Sequence, residues 1–135
     1  MEIKFTVPGS PKGKARPRFD PRNKRTYTPQ ATVSYENFTK LCYINECKRA
    51  RLHGAVFAEI KVFVGIPKYT SKKQRESMLA GQERPTKKPD CDNITKIILD
   101  ALNGIAYDDD KQIVEVFVTK RYSEEPRVEV RMGEL

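Results

Sequence analysis

Histidine is nearly absent from the chain: there is one, His53, set in the basic turn Arg51-Leu52-His53-Gly54. With no second imidazole to share the work, hydrolytic chemistry here has to draw on carboxylates, lysine and metal. Long apolar runs are missing too. Val56–Val64 and Ile113–Val118 are interrupted by Glu or Lys, whereas a bilayer span needs about 20 apolar residues, so no membrane span is expected. The start, Met1-Glu2-Ile3-Lys4-Phe5, lacks the build of a signal peptide and reads as a strand. Three cysteines, an odd number, without an export signal point to reduced thiols in the cytoplasm. Cys42 and Cys47 fall about 140° apart on a helix, so with His53 and Cys91 they read as separate thiols rather than a zinc site. Gly9-Ser10-Pro11-Lys12-Gly13-Lys14-Ala15 fails as a phosphate loop. Its glycines stand one residue too close and Ala15 replaces the magnesium-binding hydroxyl, so no nucleotide cofactor is expected. Asp108–Gln112 fails as a calcium loop because no glycine takes the sixth position. No repeat or linker interrupts the 135 residues, which read as a single domain, 1–135.

What the chain has in excess is positive charge, 26 Lys plus Arg against 18 Asp plus Glu, a net of +8. Such a balance favours polyanion partners, nucleic acid foremost. The distribution is more informative. Residues 11–30 carry seven basic side chains against Asp20 alone, and residues 68–88 carry seven against Glu76 and Glu83. Residues 89–125 invert this, with nine acids against Lys96, Lys111, Lys120 and Arg121, a net of −5 in a chain otherwise at +13. Carboxylates repel DNA phosphates unless a cation sits between them.

Periodicity predicts an α+β fold, a small sheet of about four strands with helices packed on it. Ile3, Phe5 and Val7 alternate as a first strand, and residues 11–30 form an extended basic loop or loose hairpin. A helix over Ala31–Arg51 is expected to bury Ala31, Tyr35, Phe38, Leu41 and Cys42. A strand over Ala55–Val64 directs Val56, Ala58, Ile60, Val62 and Val64 to one side. Ser71 caps a short helix reaching Ala80, with Gly81 as its stop, and Gln82–Pro89 reads as a mobile basic loop. Asn93–Asn103 is a helix with the stripe Ile94, Ile97, Ile98, Ala101 and Leu102, and Asp92 stands at its N-cap. Lys111–Tyr122 and Arg127–Met132 are expected to close the chain as a hairpin.

The acidic segment combines two elements. Asp90 and Asp92 project to one side of an extended stretch, and Asp92, Asn93, Lys96, Asp100 and Asn103 share the polar arc of the helix. Asp108-Asp109-Asp110 return just before a strand. If the two groups meet, three or four hard oxygen donors surround one or two magnesium ions.

The run Lys88-Pro89-Asp90-x-Asp92-Asn93-x-x-Lys96-x-x-x-Asp100-Ala101-Leu102-Asn103-Gly104, followed by Tyr107-x-Asp109-Asp110-x-Gln112, resembles the RusA-type Holliday junction resolvases of bacteria and their prophages. Pro8-Gly9-x-Pro11, Arg16-Pro17-Arg18 and Tyr27 resemble that family's opening strand and basic loop. The resemblance implies a homodimeric α+β endodeoxyribonuclease that resolves four-way DNA junctions in recombination and repair. It also implies catalytic residues at Asp90, Asp92, Lys96 and Asp110. Asp90, Asp92 and Asp110 would hold Mg²⁺, for which Mn²⁺ can substitute, with Asp109 as the alternative third ligand. Lys14, Arg16, Arg18, Lys87 and Lys88 are the expected DNA contacts. A non-catalytic basic nucleic-acid-binding module is the rival reading. It accounts for the charge but gives no reason for nine acids in one segment.

Overall fold

A computed structural model describes all 135 residues. The alternation of Ile3, Phe5 and Val7 builds strand β1 (Glu2–Pro8), whose odd positions are buried. The basic loop folds into a short hairpin, β2 (Arg18–Asp20) with β3 (Arg25–Tyr27), and helix α1 (Gln30–Cys47) follows. Strand β4 (Val56–Gly65) leads to α2 (Lys72–Leu79). Ser71 caps α2 by accepting the Gln74 N–H at 3.2 Å. Helix α3 (Cys91–Leu102), strand β5 (Ile113–Ser123) and strand β6 (Arg127–Glu134) complete an α+β domain. No helix is long and apolar enough to cross a membrane.

The four long strands form one mixed sheet in the order β1-β6-β4-β5. β6 runs antiparallel to both β1 and β4, whereas β5 runs parallel to β4. The expected terminal hairpin is therefore corrected: β5 and β6 do not pair, because β4 lies between them. Period-2 alternation identifies the face a residue takes and leaves the neighbouring strand open. The turn after Ser123 crosses the end of β4 instead. A side chain at Gly65 would come within 3.1 Å of Pro126, and the Pro126 carbonyl accepts the Gly9 N–H at 3.0 Å. β5 is left as an edge strand, with Val114, Val116 and Phe117 exposed.

Helices α1 and α3 cover one face of the sheet. Ile94, Ile97, Ile98, Ala101 and Leu102 of α3 are buried, and the isoleucines and Leu102 share one core with Val56, Ala58, Ile60, Val62, Val128, Val130 and Met132. Removing each large side chain of this kind from water stabilises the fold by about 1.5–3 kcal/mol. Helix α1 faces inward differently from expectation. It buries Thr32, Tyr35, Thr39 and Tyr43, while Ala31, Phe38 and Leu41 remain exposed. The two tyrosines decide the rotation. Tyr43 packs edge-on against Phe5 with centroids 5.5 Å apart and donates its hydroxyl to the Ala50 carbonyl. The Thr39 hydroxyl donates to the Tyr35 carbonyl at 2.8 Å, so that threonine is buried with its hydrogen bond made.

The segment 82–89 is tied to β5 rather than hanging free. Arg84 Nε donates to the Lys120 carbonyl at 2.8 Å, and Lys120 Nζ to the Lys87 carbonyl at 2.7 Å. This fixes the approach of the chain to α3, where Lys88–Pro89 is a cis peptide.

Candidate active site

Helix α3 begins two residues earlier than the isoleucine pattern suggests, so the cap position passes from Asp92 to Asp90. Asp90 has extended backbone, with φ −74° and ψ 151°, and its carbonyl accepts the Ile94 N–H at 3.0 Å. Its carboxylate makes no capping hydrogen bond. Asp92 lies in the first turn. Two exposed carboxylates thus stand at the positive end of a helix dipole.

Lys96 is exposed one turn further on. Its ammonium pairs with neither Asp92 nor Asp100, because Asp100 is already taken: Lys14 Nζ lies 3.3 Å from Asp100 Oδ2 and donates to Glu36 Oε2 at 2.9 Å. Lys14 is one of the expected DNA contacts. It is turned inward, its side chain 20% exposed, as a latch between the basic loop, α1 and α3. Burial alone would lower its pKa, but the hydrogen bonds to Glu36 and Asp100 outweigh that and raise it. The backbone around it is equally close. The Lys14 N–H donates to the Asn93 carbonyl at 2.9 Å, and a side chain at Gly13 would come within 2.9 Å of Asn93 Cβ and 3.2 Å of Pro89 Cβ. Gly13 is what lets the loop lie on the start of α3.

The second acidic group is a built turn. Arg51 Nη2 pairs with Asp108 Oδ1 at 2.8 Å. Asp109 caps a single 3₁₀ turn, Asp110–Gln112, by accepting the Lys111 N–H at 3.0 Å. Gln112 Oε1 accepts the N–H groups of Asp108 and Asp109 at 2.8 and 3.0 Å, and Gln112 Nε2 donates to the Gly54 carbonyl at 3.0 Å. Buried Tyr107 ties the turn to α3 through a hydroxyl donated to the Leu99 carbonyl. Asp110 alone of the three aspartates is neither ion-paired nor a cap. The Lys111 N–H, helped by Asp110, holds the Asp109 carboxyl below its ordinary value. Asp110 is pushed up by its contact with Asp109, with burial and the charges of Asp109 and Asp100 adding to this.

The carboxylates therefore gather in two groups, Asp90 with Asp92 and Asp109 with Asp110 beside Asp100. No three His, Cys, Asp or Glu side chains close around one point to make a metal cage. The reason is axial spacing: Asp92 and Asp100 lie about 12 Å apart along the helix, at 1.5 Å per residue. The donor set still suits magnesium. Its donors are hard carboxylate oxygens, and magnesium is commonly held by one or two carboxylates with water and substrate phosphate supplying the rest. Asp90, Asp92 and Asp110 can each offer a carboxylate free of any ion pair.

Of the remaining expected DNA contacts, Arg16, Arg18, Lys87 and Lys88 are exposed. Lys88 lines a groove with Lys12, Lys14, Pro89, Asp90 and Asn93. Sequence reasoning misses the pairing of Lys14 with Glu36, which lie 22 residues apart. No local pattern announces that contact.

Residues 8–133 match the sequence pattern of a known protein family, the endodeoxyribonuclease RusA. A protein of Bacillus subtilis strain 168, named as the uncharacterized protein YqaN, is 40% identical over 137 residues, spanning 98% of this chain and 96% of its own length. With Asp90, Asp92, Lys96 and Asp110 of the acidic motif left unpaired beside a basic loop, and a family match that runs almost from end to end, the chain belongs to the RusA endodeoxyribonuclease family.

Proposed function

We propose that the chain is a magnesium-dependent endonuclease that resolves four-way DNA junctions by paired nicks, acting as a homodimer. One observation carries this reading. In a domain where Lys14, Arg51, Asp100 and Asp108 are all spent on ion pairs, the four motif residues Asp90, Asp92, Lys96 and Asp110 make none. Asp90 and Asp92 gain about 0.3–1 kcal/mol each from the dipole of α3, and the carboxylates and ammonium of this motif, making no ion pair, are available to a cation and a phosphate.

Asp90 and Asp92 would hold the divalent cation, and Asp110, in the separate group beside Asp100, would reach it through bound water or hold a second ion; Mn²⁺, another hard cation, fits the same donors. When bound, the cation supplies Lewis-acid activation of water and neutralises charge at the scissile phosphate. Lys96 projects from the Asp92 side of α3 and stabilises the charge that develops on phosphorus as the water oxygen bonds and the 3′ oxygen departs. Asp100 takes no ligand role, because Lys14 occupies it. Arg16, Arg18, Lys87 and Lys88 position the backbone of the junction arms. A four-way junction has near two-fold symmetry, so a C₂ dimer presents one site to each of two opposed strands.

The test is incubation of a synthetic four-way junction with the protein in Mg²⁺ and in EDTA. Symmetric paired nicks in Mg²⁺, absent in EDTA, support the reading. Junction binding with no cleavage in Mg²⁺ or Mn²⁺ would assign the chain to the non-catalytic basic binding class instead.

A further inference from the structure

The β2–β3 hairpin displays aromatic rings that the fold does not use. Phe19 is 62% exposed and Tyr27 48% exposed. In the antiparallel register Phe19 faces Thr26 and Arg18 faces Tyr27, so the two rings lie on opposite sides of the ribbon. A single exposed phenylalanine needs no explanation. This one stands in an unusual setting, for two reasons.

The first is charge. Asp20 is the only carboxylate in residues 11–30, and the turn consumes it. Its Oδ1 accepts the Arg22 N–H at 2.9 Å and its Oδ2 accepts from Asn23 Nδ2 at 3.0 Å. Arg16, Arg18, Arg22, Lys24 and Arg25 remain, all exposed and none in an ion pair. The second is position. The ribbon is rooted at the candidate site through the Lys14 N–H on the Asn93 carbonyl at 2.9 Å and the Ala15 N–H on Thr32 Oγ1 at 3.4 Å. Phe19 is five positions on from Lys14, at most about 18 Å of extended chain. That reach corresponds to about five base steps of a DNA strand.

We infer that the hairpin is a stacking element for branched DNA, in which Phe19 lies against a base face exposed where the duplex arms separate and the flanking arginines hold the phosphates around it. The inference rests on the junction-nuclease reading above and names the part of the DNA that selects the substrate. A continuous duplex offers no free base face, so a ring in this place favours a branch point over linear DNA. Phosphate contacts alone do not make that distinction.

The chain contains no tryptophan, so Phe19→Trp introduces a single reporter of stacking. The titration uses a four-way junction and a linear duplex of the same arm sequences, in EDTA so that nothing is cut. The expected result is strong quenching of the tryptophan by the junction and little by the duplex. Phe19→Ala should weaken junction binding about 5- to 100-fold, the range for loss of one base–aromatic stack, with an unchanged salt slope. Duplex affinity should stay within about twofold of wild type, since no phosphate contact is removed. Because Phe19 is mostly exposed, an unchanged melting temperature separates these effects from misfolding. Unquenched emission with unaltered Phe19→Ala affinity would overturn the inference, as would equal quenching by the duplex. Selective quenching of Phe19→Trp, together with a wild-type protein that never cuts in Mg²⁺, would remove the nuclease reading and keep the hairpin's role. A wild-type protein that cuts normally, with Phe19 dispensable for binding, would do the reverse.

Discussion

Replacing Lys14 by glutamine tests whether the basic loop is latched to the acidic helix or merely lies near it. The substitution keeps much of the stem but deletes the charge between Glu36 and Asp100, whose side chains are 16% and 30% exposed. Fully exposed ion pairs contribute about 0.2–1 kcal/mol, and sheltered hydrogen bonds to a charged group about 1.5–3 kcal/mol. With one fifth of Lys14 still exposed, the expected loss lies between, about 1–2 kcal/mol. For a domain of this size that lowers the melting temperature by roughly 3–8 °C. The raised pKa of Lys14 fixes the pH window. A lysine whose folded pKa exceeds its unfolded value contributes fully below the ordinary lysine range, and the contribution fades only as pH climbs through the raised value. The difference between the two proteins should therefore be constant from about pH 6 to 9, within about 0.3 kcal/mol. Thermal melts followed by circular dichroism measure it. Junction binding against salt supplies the second readout: the slope of log K with log salt should match wild type, whereas removal of one phosphate interaction reduces it by about 0.9. An unchanged melting temperature with a slope lower by about one would refute the latch and return Lys14 to the DNA-binding set.

Three further outcomes follow from the same geometry. Lys96→Met should slow single-turnover cleavage a hundredfold or more, about 2.7 kcal/mol of transition-state stabilisation, with little change in melting temperature; a rate within about fivefold of wild type would make Lys96 a surface charge. The double substitutions Arg16→Gln with Arg18→Gln, and Lys87→Gln with Lys88→Gln, should each weaken junction binding and flatten its salt slope by about one for every phosphate no longer neutralised, measured by titration at several salt concentrations. Ile98→Ala removes a fully buried side chain from the face of α3 that meets the sheet, and chemical denaturation should show a destabilisation of about 2–5 kcal/mol.

The acidic motif is legible in the sequence because its information is local. Asp90, Asp92 and Lys96 lie within seven residues of one another, and the isoleucine stripe assigns the opposite face of the helix to the core. The layer architecture is legible for a similar reason, since the burial of Val56, Ala58, Ile60 and Val62 is written in their alternation. Strand order is not. The alternations in β5 and β6 are compatible with a hairpin, and nothing local reveals that β4 pairs along both its edges and so lies between them. The rotation of α1 escapes a hydrophobicity pattern because Phe38 and Leu41 dominate it, while packing chooses Thr39 and Tyr43. Thr39 hides its hydroxyl on a backbone carbonyl, which makes it a better core residue than its type suggests. The sequence places Lys14 in the basic loop, and its ion-pair partners, one in α1 and one in α3, come together only in three dimensions. The two carboxylate groups, expected to converge on one point, are kept apart along α3 by the helix rise.

That the unpaired aspartates serve cleavage rather than folding or DNA affinity is tested most directly by comparing Asp92→Asn with wild type on a four-way junction, measuring cleavage in Mg²⁺ and binding in EDTA on the same preparations. Asp92→Asn is expected to abolish cleavage and to bind the junction at least as tightly as wild type, because removing a negative charge beside phosphate does not weaken the attraction. Cleavage by Asp92→Asn at the wild-type rate would contradict this assignment.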